Sequence, residues 1–245
     1  MKHLLWLIPA LLASVAVLSR LLRHRAEIHA HAEQPDRPDM KGHRWFATVY
    51  DLLMRGLERD VLSQIRPWIA GDATGRVLEI GAGTGANLPY YRNSQSIIAL
   101  EPDPFMIDQA RKQAANLGLD IDFRLCPAEA LPFPDASFDT VVATLVFCTV
   151  SDPARSLAEV RRVLRPNGTL RFIEHVRAPE GFMATVQDVI TPVWRRLAAG
   201  CHPNRPTLQS IEEAGFEIVQ LDERLIAFSP FVFGVARKME IASNA

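Results

Sequence analysis

The feature that most restricts the fold is a short apolar run that breaks into a glycine-rich turn, Arg76-Val-Leu-Glu-Ile80 followed by Gly81-Ala-Gly-Thr-Gly85. Glycines after a buried strand let the backbone approach a ligand closely and adopt positive φ. Strand-like and helix-like segments then alternate, with residues 87–91 at a helix start after the turn. Residues 97–100 read as a second strand, Pro104–Leu117 as a helix, and residues 121–125 and 138–145 as the third and fourth strands. Residues 152–164 predict an amphipathic helix with Asp152 as N-cap and Pro153 at its first position. Pro166-Asn-Gly168 predicts a turn into a fifth strand over 169–175. Residues 206–214 predict a helix stopped by Gly215, and residues 216–221 and 231–236 a closing strand pair. The alternation implies an α/β fold, a parallel sheet with helices on both faces, whose ligand lies outside the C-terminal strand ends at a switch point.

The ligand class follows from what flanks the turn. Gly-x-Gly-x-Gly with Ala86 next departs from the dinucleotide Gly-x-Gly-x-x-Gly, and the Gly-Lys-Ser/Thr of a P-loop is missing. Glu79 stands two residues before the turn, which disfavours a phosphate and suits an ammonium or sulfonium. Glu101 ends the second strand, where a carboxylate can accept both hydroxyls of a ribose. With no base beside either acid along the chain, the pair selects a phosphate-free nucleoside carrying positive charge. S-adenosylmethionine fits that description.

Charge and composition narrow the remainder. The 27 Lys and Arg against 28 Asp and Glu give a net −1, with no long basic run to hold nucleic acid. Cys126, Cys148 and Cys201 are too scattered for a disulfide framework or a structural zinc site, and no metal is expected. The average hides an asymmetry, because residues 1–25 carry Lys2, Arg20, Arg23 and Arg25 and no acid. They also contain an uncharged apolar run from Leu4 to Ser19. This marginal span predicts an N-terminal membrane helix, anchoring or interfacial, with a cleaved signal peptide or a helix packed on the body as alternatives. Arginines on its C-terminal side place the body in the cytoplasm. Residues 26–42 read as a polar linker, and residues 43–245 as one catalytic domain that opens with an amphipathic helical region over 45–68.

Four motifs in order, Glu79-Ile-Gly-Ala-Gly-Thr-Gly85, Glu101-Pro-Asp103, Leu131-Pro-Phe-Pro-Asp-Ala-Ser-Phe-Asp139 and Glu159-Val-Arg-Arg-Val-Leu-Arg-Pro-Asn-Gly168, resemble class I S-adenosylmethionine methyltransferases of the type 11 domain group. Thr144-Leu-Val-Phe-Cys-Thr-Val150, Phe172-Ile-Glu-His-Val176, Pro192-Val-Trp194 and Gly200-Cys201 look like the membrane-associated thiol methyltransferases, the methyltransferase-like seven family. The resemblance implies a Rossmann-like, seven-stranded, mostly parallel sheet with a terminal antiparallel hairpin. It implies that Glu79 organises the methionine ammonium and that Gly81, Ala82, Gly83, Thr84, Gly85 and Asn87 pass close to the cofactor. Glu101 would hold the ribose, Pro102 would pack beside the adenine, and Ala128 and Glu129 would border the adenine edge. Pro127 stands where the type 11 pattern carries Asp. Thr144 and Leu145 would line the methionine portion. Tyr50-Asp51 resembles a pair that closes over the cofactor in related quinone and lipid methyltransferases.

The acceptor implied is small and lipophilic, a thiol first, with a lipid amine or a quinone as alternatives. A non-catalytic S-adenosylmethionine-binding scaffold and a nicotinamide oxidoreductase are the competing classes. A thiol must ionise to attack, and His175 at the fifth strand end is the candidate base. Cys148 reads as a small buried side chain. Residues 177–205 form an insertion whose apolar residues recur at helical spacing, either as core packing or as a lid facing the membrane. Phe147, Cys148, Trp194 and Arg205 join His175 as acceptor-pocket candidates.

Overall fold

The structure, a computed structural model, describes residues 56–226 and 229–239. The expected membrane segment, the linker and Tyr50-Asp51 lie outside the described residues. Among the described residues, no helix is long and apolar enough to cross a membrane.

A π-helical turn, Glu58–Leu62, leads into helix α1 (Ser63–Ile69). Strands β1 (Gly75–Ile80), β2 (Ser94–Leu100), β3 (Asp122–Arg124), β4 (Phe138–Thr144), β5 (Leu164–His175), β6 (Phe216–Ile226) and β7 (Ser229–Lys238) form one sheet in the order β3-β2-β1-β4-β5-β7-β6. β3 to β5 pair in parallel; β7 runs antiparallel to both β5 and β6. The seven-stranded mixed sheet and its terminal hairpin match the fold expected.

Period-two alternation sends neighbouring residues to opposite faces. Leu78, Val141 and Phe172 enter a core under helix α3 (Pro153–Val163), while Val77, Val142 and Ile173 enter a second core under α1. Helix α2 (Pro104–Leu117) starts at Asp103, whose carboxylate accepts from the Phe105 and Met106 amides, and ends at Gly118 with φ +66°. Asp152 caps α3 through the Arg155 amide, as its sequence predicts.

Three boundaries differ from the sequence reading. Only a 3₁₀ turn, Leu88–Tyr90, follows the glycine turn. Pro166-Asn-Gly168 does not interrupt β5; its turn chemistry survives as Asn167 at φ +61°, within a shift of the β4–β5 register. β6 runs past residue 221 through Asp222, Glu223 and Arg224, because pairing with β7 holds a charged run that protects the sheet edge.

The 177–205 insertion holds helix α4 (Phe182–Leu197), and α5 (Thr207–Glu213) follows. Of the α4 side chains only Ala184, Gln187 and Thr191 are buried, whereas Phe182, Val186, Val189, Ile190, Val193 and Leu197 face outward. The core-packing alternative therefore fails for this stripe.

Candidate active site

The C-terminal ends of β1 and β4 open onto a cleft of about 390 Å³, at the point where the chain leaves the centre of the sheet in opposite directions. Glu79 lines it from the end of β1, with Gly81, Ala82, Gly83 and Thr84 in the turn, Asn87 beyond it, and Thr144 and Leu145 at the end of β4. Eight of the residues singled out from the sequence thus meet in one cavity.

Glu79 is almost fully buried. Its Oε1 accepts from Asn87 Nδ2 at 2.8 Å and its Oε2 from the Tyr91 hydroxyl at 2.9 Å. Burial pushes its carboxyl above the ordinary range, against the pull of those two donors and of the Arg66 charge. Asn87 Nδ2 also reaches Thr144 Oγ1 at 3.0 Å, so one amide joins the two strand ends.

Arg66 corrects the reading that no base stands near these acids. It comes in from α1, donates to Asn87 Oδ1 at 2.5 Å, and forks onto both oxygens of Glu58 at 2.7 and 2.8 Å. Glu58 cancels its charge, and the exposed Arg59–Asp60 pair cancels likewise, so Glu79 leaves this wall net negative. Arg66 was missed although its sequence carries a signal: a cation on the apolar face of a helix, among Leu62, Ile65 and Ile69. Such a cation must find a partner when buried.

Glu101 lies behind the glycine turn. Its Oε2 accepts from the Gly83 amide at 2.8 Å and its Oε1 from the Asp103 amide at 2.9 Å. Burial pushes it up to about 7 despite those two donors. Gly83 has φ +57° and open space where a Cβ would stand. A carboxylate therefore already holds one backbone N–H of this turn, which disfavours a phosphate there. A nucleoside with hydroxyls to donate and a cationic tail fits these residues.

Several expected residues stand elsewhere. Gly85 packs against Leu88 and Ala110 rather than lining the cleft. Pro102 follows Glu101, partly buried. Ala128 is buried in the core, and Glu129 Oε1 accepts from the Ser151 amide and hydroxyl at 3.0 and 2.9 Å, bracing the start of α3. Phe147 is fully buried in the core with Leu157 and Val160, so it offers no face to an acceptor. Arg205 donates to the carbonyls of Phe147 and Val150, both at 2.7 Å, and so is a structural clamp. His175 faces Cys201 and Ser229 and stacks on Phe231 instead of lining the cleft; burial pushes it down to about 4. Cys148 is buried beside Cys201, and the half-exposed Trp194 lies near that thiol pair, away from the cleft.

The second residue that the sequence reading missed is Glu174. Fully buried, it accepts from the amides of Val146, Phe147 and Cys148 at 2.8, 2.9 and 3.0 Å. It thereby holds the loop after β4, in which Leu145 takes φ +59°. An acid inside the apolar strand Phe172-Ile-Glu-His-Val176 was the available signal.

Residues 78–172 match the family model described as a methyltransferase domain. Human thiol S-methyltransferase TMT1B is 36% identical over 194 residues, 76% of this chain and 80% of that one. Human thiol S-methyltransferase TMT1A is 32% identical over 205 residues, 79% and 83% of the two chains. The chain belongs to the class I S-adenosylmethionine-dependent methyltransferases, in the same family as these proteins. A phosphatidylethanolamine N-methyltransferase from Cereibacter sphaeroides is 35% identical over 118 residues, 47% of this methyltransferase and 58% of that chain. Among solved structures, the [4+2]-cyclase SpnF superposes with TM-score 0.60 at 23% identity, covering 74% of this chain and 80% of its own. An S-adenosylmethionine-dependent methyltransferase from Aquifex aeolicus gives 0.57 at 18% identity, covering 81% and 100%. These two establish the fold of this methyltransferase; a cyclase among them shows that chemistry must be argued from the site.

Proposed function

We propose that this methyltransferase transfers a methyl group from S-adenosylmethionine to a small lipophilic thiol. The observation that carries the cofactor side is the Glu101 carboxylate on the Gly83 amide. The thiol rests on relatives named thiol S-methyltransferase that align with about three quarters of the chain.

Bound S-adenosylmethionine supplies a methyl group already activated on a sulfonium sulfur. Glu101 keeps lone pairs for two ribose hydroxyls beyond the two amides it now accepts. Pro102 is assigned to the adenine side. Glu79, oriented by Asn87 and Tyr91, presents negative charge to the methionine ammonium, and Thr144 and Leu145 bound the methionine portion. Positioning and exclusion of water carry the rate, since no side chain needs to activate the methyl group. His175 faces away from the cleft, so the acceptor thiol ionises on its own, with an ordinary pKa of about 8.5.

The outward apolar stripe of α4 and the apolar run near the N-terminus both support a membrane-held enzyme, and the arginines that follow that run favour a body in the cytoplasm. An acceptor soluble in lipid would then reach the cleft from the bilayer. Labelled methyl transfer to alkyl thiols, phosphatidylethanolamine and ubiquinol, measured with the full chain in detergent, tests the proposal. Transfer to thiols at least about tenfold above the others in kcat/KM is the expected result, a discrimination of roughly 1.4 kcal/mol. Preference for phosphatidylethanolamine, which the Cereibacter relative makes the second reading, would overturn the thiol assignment.

A further inference from the structure

Outside the cofactor cleft, two cysteines 53 residues apart in sequence are brought together by tertiary structure. The thiols of Cys148 and Cys201 lie 3.7 Å apart, and Cys201 Sγ is 3.5 Å from His175 Nδ1. Both backbones are held in place. The His202 amide donates to the Cys148 carbonyl at 2.7 Å, the Cys148 amide donates to Glu174, and Arg205 clamps the carbonyls of Phe147 and Val150. The third cysteine, Cys126, donates to the carbonyls of Pro127 and Ala130 in its own loop.

We infer that Cys201 and Cys148 form an attacking and a resolving thiol that exchange with small disulfides, a dithiol site separate from methyl transfer. The roles follow from the surroundings. Cys148 is fully buried, whereas Cys201 is partly exposed and beside His175. The hydrogen bond shared with Cys201 and then burial push the Cys148 thiol up, while that same bond and one with the Trp194 side chain hold Cys201 down. His175, lowered to about 4 by burial, stays neutral at physiological pH, and its Nδ1 stands beside Cys201 Sγ as a hydrogen-bond partner that orients the thiol.

The exchange balances without any further reactant. Cys201 releases its proton to solvent, and its thiolate attacks one sulfur of a disulfide RSSR. The Cys201–SR bond forms, the RS–SR bond breaks, and the leaving thiolate takes a proton from solvent. Cys148, losing its own proton, then attacks Cys201 Sγ. The Cys148–Cys201 bond forms, the mixed disulfide breaks, and a second RSH leaves. Two cysteine thiols are oxidised and one small disulfide is reduced to two thiols. The Sγ atoms need to close from 3.7 Å to the covalent distance of about 2.05 Å, between two segments already joined by the bond from the His202 amide to the Cys148 carbonyl.

The test treats the reduced full-length protein with excess oxidised glutathione, quenches with acid, alkylates free thiols and maps the peptides by mass spectrometry. In the parent protein, the Cys148 and Cys201 peptides should be cross-linked and Cys126 alkylated. Cys148→Ser should retain one glutathione on Cys201, and Cys201→Ser should leave Cys148 alkylated and unmodified. A parent protein with both thiols alkylated overturns the inference, and so does glutathione on Cys148 in the Cys201→Ser variant. The parent measurement needs no variant to fold, and none of these readouts depends on which acceptor is methylated.

Discussion

Glu101 gives the most demanding test of the cofactor site, because its charge should govern binding. Burial raises its carboxyl from an ordinary value of 4.5 to about 7 in the ligand-free protein. A folded-state value above the unfolded one means that this group's contribution to stability is present below about pH 4.5 and lost as pH rises through 7. The loss is about 3 kcal/mol at 1.36 kcal/mol per unit. Two ribose hydroxyls that donate to the carboxylate favour its ionised form, so binding must release the proton. If the bound carboxyl returns to its ordinary value, Kd should fall about tenfold per pH unit from 5 to 7, roughly 100-fold in all, and level off above. Isothermal titration with S-adenosylhomocysteine at pH 5 to 8, in buffers of differing ionisation heat, measures both the slope and the proton released. Glu101→Gln should bind weakly and without the slope. Its carbonyl can still accept from Gly83, but its amide must face the Asp103 N–H, at a cost of about 1–3 kcal/mol. A flat affinity in the parent, or the same slope in Glu101→Gln, would refute the ribose assignment and the charge argument together.

Three further outcomes are expected. Glu174→Ala strands three buried amides; at about 1–3 kcal/mol each, reduced by relaxation, the net loss should be about 4 kcal/mol, lowering Tm by roughly 8–16 °C in a thermal melt. A loss under about 1 kcal/mol would show that the loop after β4 is held by other contacts. Arg66→Met leaves Glu58 and Asn87 Oδ1 without their shared donor and should weaken cofactor binding about tenfold by titration, with partial recovery when Glu58→Gln is added; an unchanged Kd means that Asn87 is positioned without it. Gly85→Ala meets Leu88 Cδ1 at 2.7 Å and Ala110 Cα at 3.2 Å with φ +93°, and should cost about 2–4 kcal/mol in denaturant unfolding. Gly118→Ala has φ +66° but open space and should cost about 1 kcal/mol, so equal losses would mean that crowding at Gly85 contributes nothing.

What the sequence by itself determined are the features written in short range. Short apolar runs located the strands, and Asp152-Pro153 marked a helix start, because a cap bonds within three residues. Glycines, Glu79 and Glu101 declared the ligand class because residues at strand ends converge wherever a parallel sheet forms. Tertiary structure decided the rest, where partners lie far apart in the chain. Arg66 meets Asn87 across 21 residues, Glu174 reaches back 26 to 28 residues to the loop after β4, and Cys201 finds Cys148 across 53. Periodicity marked the apolar stripe on α4 but not its direction. Gln187, bonded to Val176 O, Pro203 O and Ser229 Oγ, turns the opposite side inward. His175 shows the same division: its place at a strand end is visible in the sequence, but the side of the sheet it serves depends on the segment after α4 that folds back against it.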